Sequence, residues 1–92
     1  MLACGHVPEV SRFFGIVIRM YFGDHIPPHM HAVYAEFEAV IDIQTSAIIE
    51  GKLPSRATYL VLEWIELHRT ELMEDWELCA QNHIPKKIHP LP

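Results

Sequence analysis

The sequence predicts an α+β fold, in which an antiparallel meander of three to four strands packs on a long C-terminal helix. Hydrophobic residues alternate at a period of two in the first half of the chain, which is typical of strands. After GKLP, residues 51–54, they recur at the period of a helix. The connections between the predicted strands are too short for parallel crossovers, so we expect antiparallel pairing. The chain has 92 residues, half of them hydrophobic, and is expected to form a single domain over residues 1–92.

Three segments are predicted to form the strands of the sheet: residues 13–22, residues 31–36 and residues 38–43. The pair Ile48-Ile49 is predicted to add a short edge strand. In the first segment, FFGIVIRMYF, every second residue is apolar and would form one buried face: Phe14, Ile16, Ile18, Met20 and Phe22. A turn near Glu36-Phe37 separates the second strand from the third, although it lacks the Asn-Gly or Asp-Gly pair that favours tight hairpins.

The helix is predicted to begin near Pro54, whose missing N–H is not needed in a first turn. Its apolar positions are Ala57, Leu60, Val61, Trp64, Ile65, Leu72, Trp76 and Cys79. An unbroken helix to about Asn82 would be about 42 Å long, whereas a compact domain of this size is only about 30 Å across. We therefore expect the helix to bend near His68-Arg69-Thr70 or to project beyond the sheet.

The apolar arc of the helix between Leu60 and Leu67 is broader than one small sheet can cover. The simplest explanation is a second copy of the chain, in a two-fold homodimer. The alternative is that the C-terminal tail, residues 83–92, folds over the helix. His83 and His89 are expected to be solvated residues of that tail, and residues 1–6 a flexible N-terminal extension.

Charge and cysteine content narrow the function classes. The formal net charge of −5 argues against a general nucleic-acid binder, although a local basic patch of Arg12, Arg19, Lys52 and Arg56 remains open.

The two cysteines lack a C-x-x-C spacing and are expected to be reduced thiols, Cys79 as a small core residue. Cys4-Gly5-His6 could bind a metal but is more simply read as a frayed terminus. Without a signal peptide or a membrane-spanning apolar run, we expect a cytoplasmic protein that does not associate with membranes.

The stretch DHIPPHMH, residues 24–31, concentrates metal-binding chemistry at a proline-stiffened bend. If a strand begins near His31, then His29 and His31 project to the same side and can bind one ion. His25 could complete a three-histidine set for a divalent transition metal such as zinc, with Asp24 or Glu36 as an oxygen partner. The alternative is structural, with each histidine hydrogen-bonded to nearby carbonyls to hold a sharp turn. The sequence leaves open whether the bond before Pro27 or Pro28 is cis.

Histidine also titrates near neutral pH, so His29 and His31 could act as acid and base without a metal. In such a nuclease, Arg19, Lys52 or Arg56 would hold the phosphate, and Tyr34 would be an additional proton donor. The motifs of a serine nucleophile and of a glycine-rich phosphate loop do not occur in the sequence.

From about Val7 to Ile88 the chain resembles a small bacterial family known as domain of unknown function 4160. The resemblance rests on D-H-x-P-P-H-x-H at residues 24–31, G-K-L-P at residues 51–54 and L-E-W-x-E-L-H at residues 62–68. Ala35 stands where a small turn residue such as glycine is expected. The family resembles components of bacterial toxin–antitoxin-type gene pairs, which implies a small protein partner encoded by a neighbouring gene and an action on RNA or translation.

Three functions remain open. The first is a toxin–antitoxin-type component that acts through a protein partner, with the histidine stretch at its functional edge. The second is a metal- or histidine-dependent enzyme of the ribonuclease type, in which His29 and His31 are catalytic. The third is a structural dimerisation module without catalysis.

Overall fold

The computed structural model describes residues 8–92 and confirms an antiparallel sheet packed with one long C-terminal helix. The elements are β1 (Glu9–Phe13), β2 (Ile16–Arg19), β3 (His29–Tyr34), β4 (Phe37–Asp42), β5 (Ile48–Gly51) and α1 (Ser55–Ala80). The strands lie in the order in which they occur along the chain, and every neighbouring pair is antiparallel. The sheet has five strands, whereas the sequence predicted three to four.

The predicted first strand over residues 13–22 is confirmed only in part: β2 lies within it and Ile16, Ile18 and Met20 are buried, but a hairpin turn interrupts it at Phe14-Gly15, and Phe22, beyond β2, is 37% exposed. Phe13 pairs with Ile16, and both turn residues have positive φ, 50° at Phe14 and 81° at Gly15. The chain therefore makes one more strand, β1, before the turn. Phe14 consequently lies at the turn with 57% of its surface exposed, and the odd-numbered Phe13 is buried instead.

The second hairpin turns at Ala35-Glu36, close to the predicted position. Tyr34 pairs with Phe37 across it, and Ala35 has a φ of 52°, where glycine or asparagine is more usual. The predicted edge strand at Ile48-Ile49 is confirmed as part of β5. It ends at Gly51, where an added Cβ would lie 2.1 Å from the Glu38 carbonyl oxygen, so only glycine fits.

The core lies between one face of the sheet and α1. The sheet contributes mainly Ile16, Ile18, Met20, Met30, Ala32, Ala39, Ile41 and Ile43. The predicted helix positions are buried with them, except that Leu60 is only partly buried. Cys79 is a core residue as predicted, and its burial, followed by the charge of Asp75, raises the pKa of its thiol to about 11. Cys4 lies outside the described residues.

The helix bends where the sequence indicated that it could. His68 has non-helical backbone angles, with φ −128° and ψ 23°, inside the 26-residue helix. Just after the bend, Arg69 donates hydrogen bonds to the carbonyls of Ile43 and Gln44 and so fastens the β4–β5 loop to α1. The bend helps to keep the longest dimension of the molecule at 36 Å. Within residues 8–92, no helix combines the length and the apolar character that crossing a bilayer requires.

Residues 83–92 fold over the helix, which was the alternative explanation for its broad apolar arc. Ile88 and Leu91 are buried in the core, and the Trp64 indole Nε1 donates a hydrogen bond to the His89 carbonyl at 2.8 Å. His83 and His89 are themselves exposed, as expected. Tyr59 and Leu67 remain exposed on α1, so a homodimer through this region stays a prediction. The predicted flexible extension, residues 1–6, lies outside the described residues.

Candidate metal centre

β3 and the connection that precedes it form the site. His29 and His31 are two residues apart on β3, so their side chains project to the same side of the strand, and at the beginning of β3 the His29 ring lies 5.1 Å from the ring of Trp76 on α1. The connection from β2 returns Asp24 to the beginning of β3, so that its carboxylate faces both rings. The peptide bond between Ile26 and Pro27 in this connection is cis.

Both imidazoles direct Nε2 at one oxygen of Asp24. The distance to Asp24 Oδ2 is 2.8 Å from His29 Nε2 and 3.7 Å from His31 Nε2. One ligand atom from each of the three residues lies within 4.8 Å of the others. At Zn–ligand distances of about 2.0–2.1 Å, neighbouring ligand atoms of a tetrahedral ion are about 3.3 Å apart. The separations in this cluster are therefore close to those of a metal's ligand shell.

The opposite nitrogen of each ring is held by an acceptor. His29 Nδ1 lies 2.7 Å from the Pro27 carbonyl oxygen, and His31 Nδ1 lies 3.0 Å from Glu38 Oε2. A carbonyl cannot donate, and an ionised carboxylate only accepts, so both Nδ1 atoms carry the proton. His29 Nε2 lies 2.8 Å from Asp24 Oδ2, an acceptor, and donates to it when no metal is bound; a bound ion would take the place of that proton between the two atoms. An outer acceptor on Nδ1 with Nε2 directed at the ion is the arrangement that orients histidine ligands in metal proteins.

His31 Nε2 is the atom of this cluster that lacks a bonding partner. It is buried and has no hydrogen-bond partner among the described residues. The ring cannot easily turn away, because Tyr21 stacks on it with ring centroids 4.3 Å apart. A buried nitrogen without a partner costs free energy, so this position favours a group that can accept its lone pair.

The charge state of Asp24 suits the same role. Burial acts to raise the pKa of this carboxyl group, but hydrogen bonds from the His25 backbone N–H and from His29, and the charges of His29 and His31, outweigh it. The net effect lowers the pKa of Asp24 below its ordinary value. Asp24 is therefore ionised at neutral pH, as an anionic metal ligand would have to be.

A cavity of about 370 Å³ opens beside the cluster. It is lined by the three clustered residues together with Tyr21, His25, Ile26, Pro27, Val40, Ile49 and Glu50. Its lining contains no Lys or Arg, whereas Asp24 and Glu50 contribute negative charge. A molecule that approaches the cluster through this cavity therefore meets an apolar and partly acidic wall.

The structure brings together some of the predicted ligands and not others. His29, His31 and Asp24 converge, but His25 does not join them: its backbone N–H binds Asp24 Oδ1 at 2.8 Å and its side chain is exposed along the cavity. Glu36, the other predicted oxygen partner, is exposed in the β3–β4 turn. Glu38 takes the outer position instead. Sequence reasoning missed Glu38, although in a hairpin that pairs His31 with Val40 it lies on the same face two residues from Val40.

The residues proposed to bind nucleic acid do not line this cavity. Arg12 pairs with Glu9 at 2.8 Å, and Arg19 lies opposite His31 on β2. Lys52 follows β5, and Arg56 lies in the first turn of α1. Tyr34, proposed as a proton donor, lies at the far end of β3 and lines a different pocket together with Arg56.

An antiparallel five-stranded meander packed on one bent helix, with an Asp-His-His cluster at the beginning of β3, defines the class of protein. Residues 15–77 match the family model DUF4160, described as a domain of unknown function, and the chain belongs to that family. The match confirms the resemblance seen in the sequence and includes the whole histidine stretch and most of α1. Neither the comparison with curated proteins nor that with solved structures finds a match.

Proposed function

We propose that this chain binds a divalent transition-metal ion through Asp24, His29 and His31, and that the bound ion activates water for a hydrolytic reaction. One observation carries the proposal. Two imidazoles, each with its Nδ1 held by an acceptor, direct their Nε2 atoms at one carboxylate, and one of these nitrogens is buried without a partner. Hydrogen-bonded turn histidines do not require this convergence.

The number of ligands and the cavity favour a catalytic role over a structural one. Structural zinc sites are closed by four protein ligands, whereas catalytic sites use three and leave a position for water or substrate. Here three ligands converge beside a cavity of about 370 Å³. An ion in that position would lower the pKa of a bound water and supply a nucleophile at neutral pH. The two nitrogens and one oxygen suit zinc and also other first-row metals.

The lining of the cavity bears on the substrate. RNA would need basic side chains to neutralise its phosphates, and none lines the cavity. Ribonuclease activity is therefore the less favoured hydrolytic reaction, and an uncharged substrate fits the apolar walls at Ile26 and Ile49 better. A hydrolysis test of zinc-loaded protein compares a neutral ester, p-nitrophenyl acetate, with an anionic diester, bis(p-nitrophenyl) phosphate. Because the neutral ester also hydrolyses faster without protein, each rate is divided by the rate of the same substrate in the absence of protein. We expect the larger acceleration for the neutral substrate, and the reverse preference would restore the nuclease hypothesis.

Metal binding itself is tested on protein purified without a histidine tag. Titration with Zn²⁺ or Co²⁺ is expected to reach one ion per chain, and His29→Ala, His31→Ala and Asp24→Asn each weaken binding at least about 100-fold because a ligand is lost. His83→Ala is the matched control, since His83 is exposed and does not belong to the Asp-His-His cluster. Equal affinity in His31→Ala and His83→Ala would contradict the proposal.

A second function, action through a protein partner as a toxin–antitoxin-type component, is supported by the sheet edge. β5 is the terminal strand, and Ile48 and Ile49 are 40% and 46% exposed on it. Such an edge can accept a strand from a partner or from a second copy, as the dimerisation hypothesis requires. Expression in a bacterial host with and without the neighbouring gene tests toxicity, and His29→Ala/His31→Ala tests whether the cluster is needed. Unimpaired growth in all cases would remove this function.

A further inference from the structure

A second site lies at the other end of the sheet and is independent of the metal centre. The β1–β2 turn, the end of β3 and the first turns of α1 enclose an apolar pocket of about 90 Å³. Phe14, Tyr34, Ala57 and Leu60 form its walls, and Arg56 also lines it. The volume suits one short aliphatic side chain and excludes anything much larger.

Phe14 lies beside this pocket in the β1–β2 turn, where its backbone is strained. Phe14 has a φ of 50°, a left-handed conformation that costs an L-residue about 1–2 kcal/mol and that asparagine or glycine adopts more readily. Phe14 as a whole is nevertheless 57% exposed, so burial in the core does not explain an aromatic residue here. The next residue, Gly15, lies against the Tyr34 ring, which an added Cβ would approach to 3.3 Å. Strain held at an exposed aromatic is typical of binding sites.

Arg56 provides an unneutralised positive charge beside the same pocket. Arg12 and Arg69 pair with Glu9 and Glu66, but Arg56 has no acidic partner among residues 8–92. An arginine fork recognises a carboxylate by paired hydrogen bonds. The pocket thus combines a hole for one aliphatic side chain with a carboxylate-binding group.

We propose that this pocket captures the C-terminal residue of a partner protein, with its aliphatic side chain in the hole and its α-carboxylate on Arg56. In a C-terminal residue, the side chain and the α-carboxylate are attached to the same Cα atom. In the site, Arg56 and Ala57, which lines the hole, are likewise neighbours at the start of α1. Capture of a terminal carboxylate in this way is a recurrent mode of peptide recognition. The proposal does not depend on metal binding, since the lining residues of the two cavities do not overlap.

N-acetyl-leucine is the probe, because it carries the aliphatic side chain and the free carboxylate. ¹H–¹⁵N NMR titration of the full chain is expected to show saturable shifts at Phe14, Tyr34 and Arg56. N-acetyl-leucinamide, which lacks the charge, and N-acetylglycine, which lacks the side chain, should each bind at least about five-fold more weakly. Arg56→Gln should abolish the preference for acid over amide, whereas Arg12→Gln, outside the pocket, should leave it unchanged.

Phe14→Asn separates binding from folding. Asparagine relieves the backbone, so this variant is expected to melt about 2–5 °C higher than the parent chain while it binds N-acetyl-leucine several-fold more weakly. Absence of saturable shifts, equal binding of acid and amide, or unchanged binding by Phe14→Asn would each overturn the proposal. A concentration-dependent dimer that Arg56→Gln dissociates would assign the pocket to a second copy and would also overturn it.

Discussion

Asp24 and Asp75 are both largely withdrawn from solvent, yet their surroundings shift their pKa values in opposite directions. At Asp24, hydrogen bonds and two histidines outweigh the cost of burial and lower the pKa. At Asp75, burial dominates and, with the charges of Glu74 and Glu71, raises the pKa despite a hydrogen bond from the Lys86 backbone. Burial alone therefore does not make a carboxylate a ligand. The cationic or proton-bearing groups around it decide whether it stays charged.

The two carboxyl groups consequently have different tasks. Asp75 is 1% exposed, and its Oδ1 accepts the Lys86 N–H at 2.8 Å, which fixes the C-terminal segment to α1. Its Oδ2 has no partner among the described residues. Asp24 instead shares its oxygen with two imidazoles at the edge of a cavity. The first arrangement stabilises the fold, and the second is suited to a cation.

The largest expected effect concerns the segment that Asp75 holds. Ile88 is 5% exposed in the core, so Ile88→Ala should lower the free energy of unfolding by about 2–5 kcal/mol through lost burial and a residual cavity. Ile84→Ala is the matched control, because Ile84 belongs to the same segment but is 80% exposed. Chemical denaturation of both variants makes the comparison. Similar losses in the two would mean that the segment does not complete the core.

Metal-linked stability distinguishes the two carboxylates directly. At Zn²⁺ concentrations about 100-fold above its Kd, the free energy of unfolding should rise by about 2.7 kcal/mol, because the ion binds only the folded chain. Asp24→Asn should lose this increment and Asp75→Asn should retain it. Thermal melts with and without zinc provide the measurement. Equal loss in both variants would place the ion elsewhere.

Removal of the acceptor at position 75 should have a smaller effect. Asp75→Leu leaves the Lys86 N–H without its partner, at a cost of about 1–3 kcal/mol. Asp75→Asn keeps an oxygen acceptor and removes a buried charge, so its stability at pH 7 should stay within about 1 kcal/mol of the parent chain. Denaturant unfolding at pH 7 compares the two. A loss in Asp75→Asn as large as that in Asp75→Leu would show that the charge itself is needed.

The sequence predicted the parts of this structure that depend on local pattern. The helix was evident because its apolar positions recur over 26 residues, and Pro54 marked its beginning. The hairpin at Phe14-Gly15 was missed for a physical reason. Phe13 and Ile16 pair on one face although they are three residues apart, so the turn shifts the alternation by one residue, and the apolar Phe14 concealed that shift. Phe-Gly also lacks the Asn or Asp that precedes glycine in the usual hairpin signal. Strand and turn therefore looked like one continuous strand.

The candidate site, too, could be predicted only where it depends on local sequence pattern. His29 and His31 were predicted to converge because a spacing of two on a strand fixes their common side. His25 precedes β3 and has no such constraint, and the connection turns it away from the cluster. Glu38 depends on the register between β3 and β4, which the turn at Ala35-Glu36 sets. Because the sequence placed this turn one residue later, near Glu36-Phe37, the position of Glu38 beside His31 could not be predicted.

The smallest expected effect is on how the stability of the metal-free protein depends on pH. This dependence compares Asp24 with Asp75 most directly. Asp75 has a folded pKa raised above the ordinary 3.8, so its folded state binds more protons and stability falls as pH rises from about 4 through the raised pKa. The stability of Asp75→Asn relative to the parent chain should therefore improve with rising pH. Asp24 has a lowered pKa, so its contribution is present above about pH 4 and is lost as pH falls through the folded value.

Asp24→Asn should accordingly be less stable than the parent chain above pH 4, and this deficit should shrink towards pH 2. Urea denaturation of the three proteins in chelator between pH 2 and pH 7 yields both differences, and their opposite slopes are the expected result. Each variant serves as the other's control, since both replace a carboxyl group by an amide. Parallel slopes would contradict the assignment of Asp24 as the persistently ionised carboxylate, because its charge would then be stabilised no better than that of Asp75, where burial outweighs the hydrogen bond and the charge of Lys86.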